Sequence, residues 1–181
     1  MGLERGAWST LRPRASLRSG FSLLEIMVAV AVFGITMAAL TTTQVSTIAL
    51  SRTNLEMSAA LDAAQGVMES LEDEDDFSQI FARWKPGGTG PGNVFDVRGL
   101  EPTRDDPDGR VGEVVFPGDG VQLLENANDR TLGVPRDLDL DKEVDGADHA
   151  GDYRILPVLV RVRWSGTGGV HQIEIVGTLA R

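Results

Sequence analysis

The chain has 181 residues, enough for one domain of moderate core and not for two. Hydrophobic residues make up 41% and charged residues 24%, a balance that excludes a disordered polyelectrolyte and a multi-span membrane protein. A net charge of −10 argues against a nucleic-acid binder, and with no cysteine and only His149 and His171 there is no thiolate chemistry and little from which to build a His-based metal centre or triad.

The charge is unevenly placed along the chain. Residues 1–20 hold Arg5, Arg12, Arg14 and Arg18 against Glu4, and from Phe21 to Ser51 the only charged side chain is Glu25. Beyond residue 20 the chain carries 13 basic residues against 26 acidic ones. A basic leader, an apolar segment and an acidic body predict an exported, membrane-anchored protein. Phe21 to Leu40 is an apolar run of twenty residues, which at about 1.5 Å per residue spans a hydrocarbon core of about 30 Å. The arginines ahead of it predict a cytoplasmic N-terminus and a periplasmic body. A removable secretory signal carries its small-residue site after the apolar core, whereas Ser19-Gly20 precedes it, so an uncleaved signal anchor is the plain reading from hydropathy.

Glu25 argues for something more specific. A carboxylate five residues into an apolar helix is costly in lipid and needs a partner. Gly20-Phe21-Ser22-Leu23-Leu24-Glu25 closely resembles the processing site of type IV pilins and type II secretion pseudopilins. The resemblance implies that a prepilin peptidase cuts after Gly20 and N-methylates Phe21. It also implies that Glu25 neutralises the terminal amine of a neighbouring subunit during assembly. An ammonium and a carboxylate buried together each remove the other's unpaired-charge penalty. The implied partners are the peptidase, other pilins or pseudopilins met through the N-terminal helix, and the bacterial inner membrane before the filament. The resemblance is strong over residues 14–50, and the leader is longer than in many pilins.

Between Phe21 and Lys85 there is no proline, and Gly34 and Gly66 are the only glycines. One helix is therefore expected from about Phe21 to Leu71, with residues 21–44 as its transmembrane half and 45–76 as its amphipathic half. Met57, Leu61, Ala64, Met68 and Leu71 recur at helical spacing and read as a face packed on a sheet, with Glu56, Asp62, Glu69 and Ser70 opposite. The acidic run Glu72–Asp76 opposes the helix dipole, so the helix is expected to end there. Sixteen of the 21 glycines and seven of the eight prolines lie at or after Pro86, so residues 77–181 are expected to form a turn-rich, β-rich globular domain. Strands are predicted at Val94–Val97, Glu113–Phe116, Val121–Leu124, Tyr153–Trp164 and Val170–Leu179. The last two are joined by Ser165-Gly-Thr-Gly-Gly169 in a hairpin whose outer face pairs Arg161 or Arg163 with Glu174. The fold class is α+β: a long N-terminal helix on a small antiparallel sheet, as in pilins.

Asp137, Asp139, Asp141, Asp145 and Asp148 occupy positions one, three, five, nine and twelve of an EF-hand-type loop, an oxygen-ligand spacing that suits calcium. Lys142 stands at the sixth position in place of glycine, and Asp148 stands at the twelfth in place of glutamate. A solvated acidic loop is the alternative. His149 and His171 read as surface or turn residues, since calcium prefers oxygen. The function that follows is a minor pilin or pseudopilin, with a calcium-dependent binding or adhesive module as the rival. An enzyme is disfavoured because no nucleophile–base pair or metal triad can be assembled.

Overall fold

The computed structural model describes Gly20 and residues 22–181. Residues 1–19 of the leader and the methylation position Phe21 lie outside the described residues. α1 runs Leu23–Glu72, fifty residues without a break. It opens on Ser22, whose Oγ accepts the backbone N–H of Glu25 at 3.1 Å, so Ser22-Leu-Leu-Glu25 has the capping-box pattern. Thr36, Thr41 and Thr43 donate their hydroxyls to the carbonyls of Val32, Met37 and Ala39 at 2.8–3.1 Å. Back-bonding of this kind satisfies a hydroxyl within the helix, which suits an apolar environment. The helix stops at Glu72, at the start of the acidic run.

The chain divides between Val45 and Ser46 into two units. In the first, the large apolar side chains from Leu23 to Leu40 are each at least half exposed. The second, Ser46–Arg181, contains the whole buried core. It adds a 3₁₀ turn at Phe77–Gln79, a short helix α2 at Ile80–Trp84, and strands β1 (Val94–Phe95), β2 (Gly112–Val115), β3 (Ile155–Gly166) and β4 (Gly169–Ala180). The strands form one antiparallel sheet in the order β1-β2-β3-β4. The expected α+β layout is present.

β3 carries the alternation expected of it. Val158, Val160, Val162 and Trp164 are fully buried in one cluster with Ala60, Ala64, Met68 and Leu71 of α1. The expected Ala64, Met68 and Leu71 thus face the core, and the face departs from expectation at its N-terminal end: Met57 and Leu61 are 38% and 42% exposed, and Ala60 is buried in their stead. Small side chains bring helix and sheet close. A Cβ on Gly177 of β4 would lie 3.1 Å from Met68 Sδ. Glu56, expected on the outer face, instead accepts the Trp164 indole N–H at 3.4 Å with only 11% of its side chain exposed.

Three further departures have physical reasons. Residues 77–84, assigned only to the β-rich domain, form helical turns that supply the core side chains Ile80, Phe81 and Trp84. Asp76 caps the turn through Ser78 N–H at 3.0 Å, and Tyr153 ties it to the sheet, donating to Phe77 O at 2.5 Å and accepting from Phe81 N–H at 3.3 Å. Val121–Leu124 forms no strand and shows one isolated bridge, Gly118↔Leu123. Three of its N–H groups go to carboxylates instead: Asp119 takes those of Val121 and Gln122, and Asp148 takes that of Leu123, while Leu124 donates to Pro117 O at 3.2 Å. Leu159, on the outer face of β3, is fully buried because Leu132 and Val134 of the long β2–β3 connection cover it. The predicted Arg161–Glu174 pair is present at 2.9 Å, directly across the hairpin.

Candidate functional site

The acidic loop lies in the β2–β3 connection, residues 116–154. Asp137, Asp139 and Asp141 bring one carboxylate oxygen each within 4.8 Å of one another. Asp137 already holds the N–H groups of Leu140 and Lys142, at 2.5 and 2.8 Å. Lys142, at the position where a glycine was wanted, takes the left-handed conformation with φ of 79°, at a cost of about 1–2 kcal/mol. Asp145 and Asp148 stand outside this group. Asp145 accepts from Ala147 N–H at 2.7 Å and meets His149 Nε2 at 3.2 Å, contacts that hold its carboxyl below the usual carboxylate range. Asp148 accepts from Leu123 and Ala150 N–H groups at 3.0 and 3.1 Å.

His149 is not a surface residue. It is 6% exposed, and its ring faces four carboxylates: Asp145 at 3.2 Å, Asp152 at 3.3 Å, and Glu125 and Asp139 at 3.7 Å. Burial opposes the charged imidazole, but Asp145, Glu125, Asp152 and Asp139 outweigh it and push His149 above the ordinary histidine value. Glu125 is 1% exposed and is the carboxylate around which the loop is folded. It accepts N–H groups from Leu138, Asp139 and Asp145. Nothing in the spacing of the sequence singled it out, because its partners lie more than ten residues away and are backbone atoms. His171 is half-buried in β4 and stacks on Trp164, ring centroids 5.5 Å apart.

At the other end of the chain Gly20 is exposed, with no atom near the position of a Cβ. Glu25 is exposed on the first turn of α1 beside Ile26, Ala29, Val30 and Phe33. No cation lies within 4 Å of it among the described residues. The helix that begins here is long and apolar enough to cross a membrane. A prokaryotic N-terminal methylation motif matches residues 16–41. The N-terminus is a type IV pilin/pseudopilin-like prepilin segment. No curated protein and no solved structure matched the chain. The motif is of the kind that marks prepilin-peptidase substrates, and such a segment points to a structural subunit. Within this segment the exposed Gly20, the helix cap at Ser22 and Glu25, which meets no cation among the described residues, follow one another in six residues, with the apolar face directly behind them.

Proposed function

We propose that the chain is a minor pilin or pseudopilin, cut after Gly20, N-methylated at Phe21, and incorporated through α1 into a type IV pilus or a type II secretion pseudopilus. The observation that carries this reading is the methylation motif running directly into an apolar helix whose large side chains are exposed, while the unit from Ser46 onward closes its own core. An exposed apolar helix requires lipid or other helices around it. Before assembly it lies in the inner membrane, with the basic leader cytoplasmic and the acidic unit periplasmic. After assembly, neighbouring helices replace the lipid. Glu25 then faces the new terminal amine of an adjacent subunit, and the two charges satisfy each other where water is scarce.

The experiment follows the N-terminus and the filament separately. Mass spectrometry of chain recovered from cells with an active prepilin peptidase is expected to find N-methylphenylalanine at residue 21. An intact leader would overturn the assignment. Glu25→Ala is expected to be processed and inserted like the parent chain yet to be depleted from sheared filaments by tenfold or more. Incorporation at the parental level would show that Glu25 has no part in assembly.

A further inference from the structure

The group around His149 has features that an acidic surface loop does not need. Its imidazole is buried, and Nδ1 has no hydrogen-bond partner. In front of that nitrogen stand Asp139 Oδ2 at 3.7 Å and Asp152 Oδ1 at 3.3 Å. The other ring nitrogen, Nε2, is hydrogen-bonded to Asp145 at 3.2 Å. A carboxylate that engages one imidazole nitrogen fixes the tautomer and leaves the other nitrogen free as a ligand, the arrangement that commonly backs a metal-bound histidine. Glu125 uses three lone-pair directions on backbone N–H groups and approaches the ring from its Nε2 edge, Oε2 lying 3.7 Å from Nε2. A carboxylate has about four such directions, so one remains.

We propose that Glu125, Asp139 and His149 form a site for a divalent first-row transition metal, with zinc as its representative, which pins the β2–β3 connection. One ligand atom from each lies within 4.8 Å of the other two. Donors held at about 2.1 Å by a tetrahedral ion are roughly 3.4 Å apart, so a group spread over no more than 4.8 Å closes on one ion with side-chain shifts of about an ångström or less, Asp139 Oδ2 starting 3.7 Å from Nδ1. One nitrogen and two carboxylates suit zinc or manganese, whereas calcium takes six to eight oxygens and disfavours imidazole. A protonated His149 alone brings one positive charge to four carboxylates, and its Nδ1–H reaches no acceptor in hydrogen-bond geometry. The three residues come from separate points of a connection that contains no strand, so one ion cross-links it. This inference is independent of the pilin reading, since it concerns only the unit beyond Ser46.

The test uses the untagged full chain in detergent, stripped with a chelator and equilibrated with Zn²⁺, Mn²⁺ or Ca²⁺ at equal ionic strength. One Zn²⁺ per chain is expected, with the thermal midpoint raised by roughly 5–10 °C at saturating metal, because an ion that binds only the folded state stabilises it. Ca²⁺ at the same concentration is expected to give less than a third of that shift. His149→Gln is expected to abolish Zn²⁺ binding. Asp139→Asn, at a side chain 18% exposed and tolerant of the change, is expected to weaken it at least tenfold even if His149→Gln fails to fold. Asp141→Asn is expected to bind Zn²⁺ like the parent. No Zn²⁺ uptake by the parent chain, or uptake that survives both His149→Gln and Asp139→Asn, overturns the proposal. So does a Ca²⁺ shift equal to that of Zn²⁺ and lost in Asp141→Asn, which would assign the loop to an oxygen-only site.

Discussion

Leu159→Ala separates two views of the outer face of β3. By alternation this face is solvent-exposed, since its neighbours along the strand are Arg161 and Arg163. In the structure Leu159 is 0% exposed, packed on Leu132 and Val134 with Val115 and Ala127 beside them. Removing three carbons costs about 2.4 kcal/mol at 0.8 kcal/mol per buried methylene. An incompletely collapsed cavity adds to this, within the 2–5 kcal/mol range for such substitutions. The cover comes from a connection without ladder hydrogen bonds, which can relax inward, so about 3 kcal/mol is expected. Arg161→Ala on the same face removes contacts to Glu174 and Glu113 at 2.9 and 3.5 Å from a side chain 35% exposed, and should cost under about 1 kcal/mol. The assay is urea unfolding of a Ser46–Arg181 fragment followed by the fluorescence of Trp84 and Trp164, both buried. With a slope of about 1.5–2 kcal/mol per molar, Leu159→Ala should lower the midpoint by about 1.5–2 M at unchanged slope. A drop no larger than that of Arg161→Ala would refute the packing of residues 132–134 on the sheet.

In the same fragment, Tyr153→Phe removes the donor to Phe77 O and the acceptor for Phe81 N–H, and should cost about 1–3 kcal/mol by leaving buried groups unpaired; a neutral result would mean that α2 is held by its apolar contacts alone. Gly118→Ala should cost roughly 2–4 kcal/mol, because its φ is +122° and a Cβ would meet Gln122 O at 2.1 Å, whereas Gly133→Ala, with φ of +71° and open space, should cost only about 1–2 kcal/mol. Similar losses at both would refute the close approach at Gly118. Asp119 is held below the usual carboxylate range by the N–H groups of Gln122 and Val121. Its charge therefore stabilises the fold above the unfolded value near 3.8 and ceases to do so as pH falls through the lower folded value. The stability difference between the parent and Asp119→Asn should be constant above about pH 5 and shrink in acid; a difference that grows in acid would reverse the assignment.

The elements legible in the sequence are those whose signal is local. The prepilin segment is contiguous, α1 is proline-free from Phe21 to Lys85, and β3 alternates with a glycine turn after it. The rest depends on atoms far apart in the chain. Phe77–Trp84 is too short to show a helical period, and its place in the core is set by Tyr153. Val121–Leu124 has strand-like side chains, but the aspartates at 119 and 148 take three of its N–H groups before any neighbouring strand can. The stripe on α1 is legible at Ala64, Met68 and Leu71 but not at Ala60, because alanine scores as a weak hydrophobe, and yet its small size is what lets the sheet approach. Around the acidic loop the spacing of aspartates was visible, but the buried pair at its centre was not. Glu125 and His149 meet by tertiary folding, and a lone histidine near a charge run carries no periodic signature.

The order of the sheet bears on the order of synthesis. Its central strand, β3, begins at Ile155, and the strand that completes the hairpin ends one residue before Arg181. Until the ribosome has made β3, the buried face of α1 and the inner edge of β2 lack the strand they pack on and pair with. A nascent chain that stops before Ile155 lacks Val158, Val160, Val162 and Trp164, fully buried residues that β3 contributes to the core cluster. The acidic unit is therefore held open, without a finished core, for most of its translation, and it closes in a late step when the hairpin arrives. On the proposed reading, a unit that folds this late crosses the membrane in extended form, before its core can close.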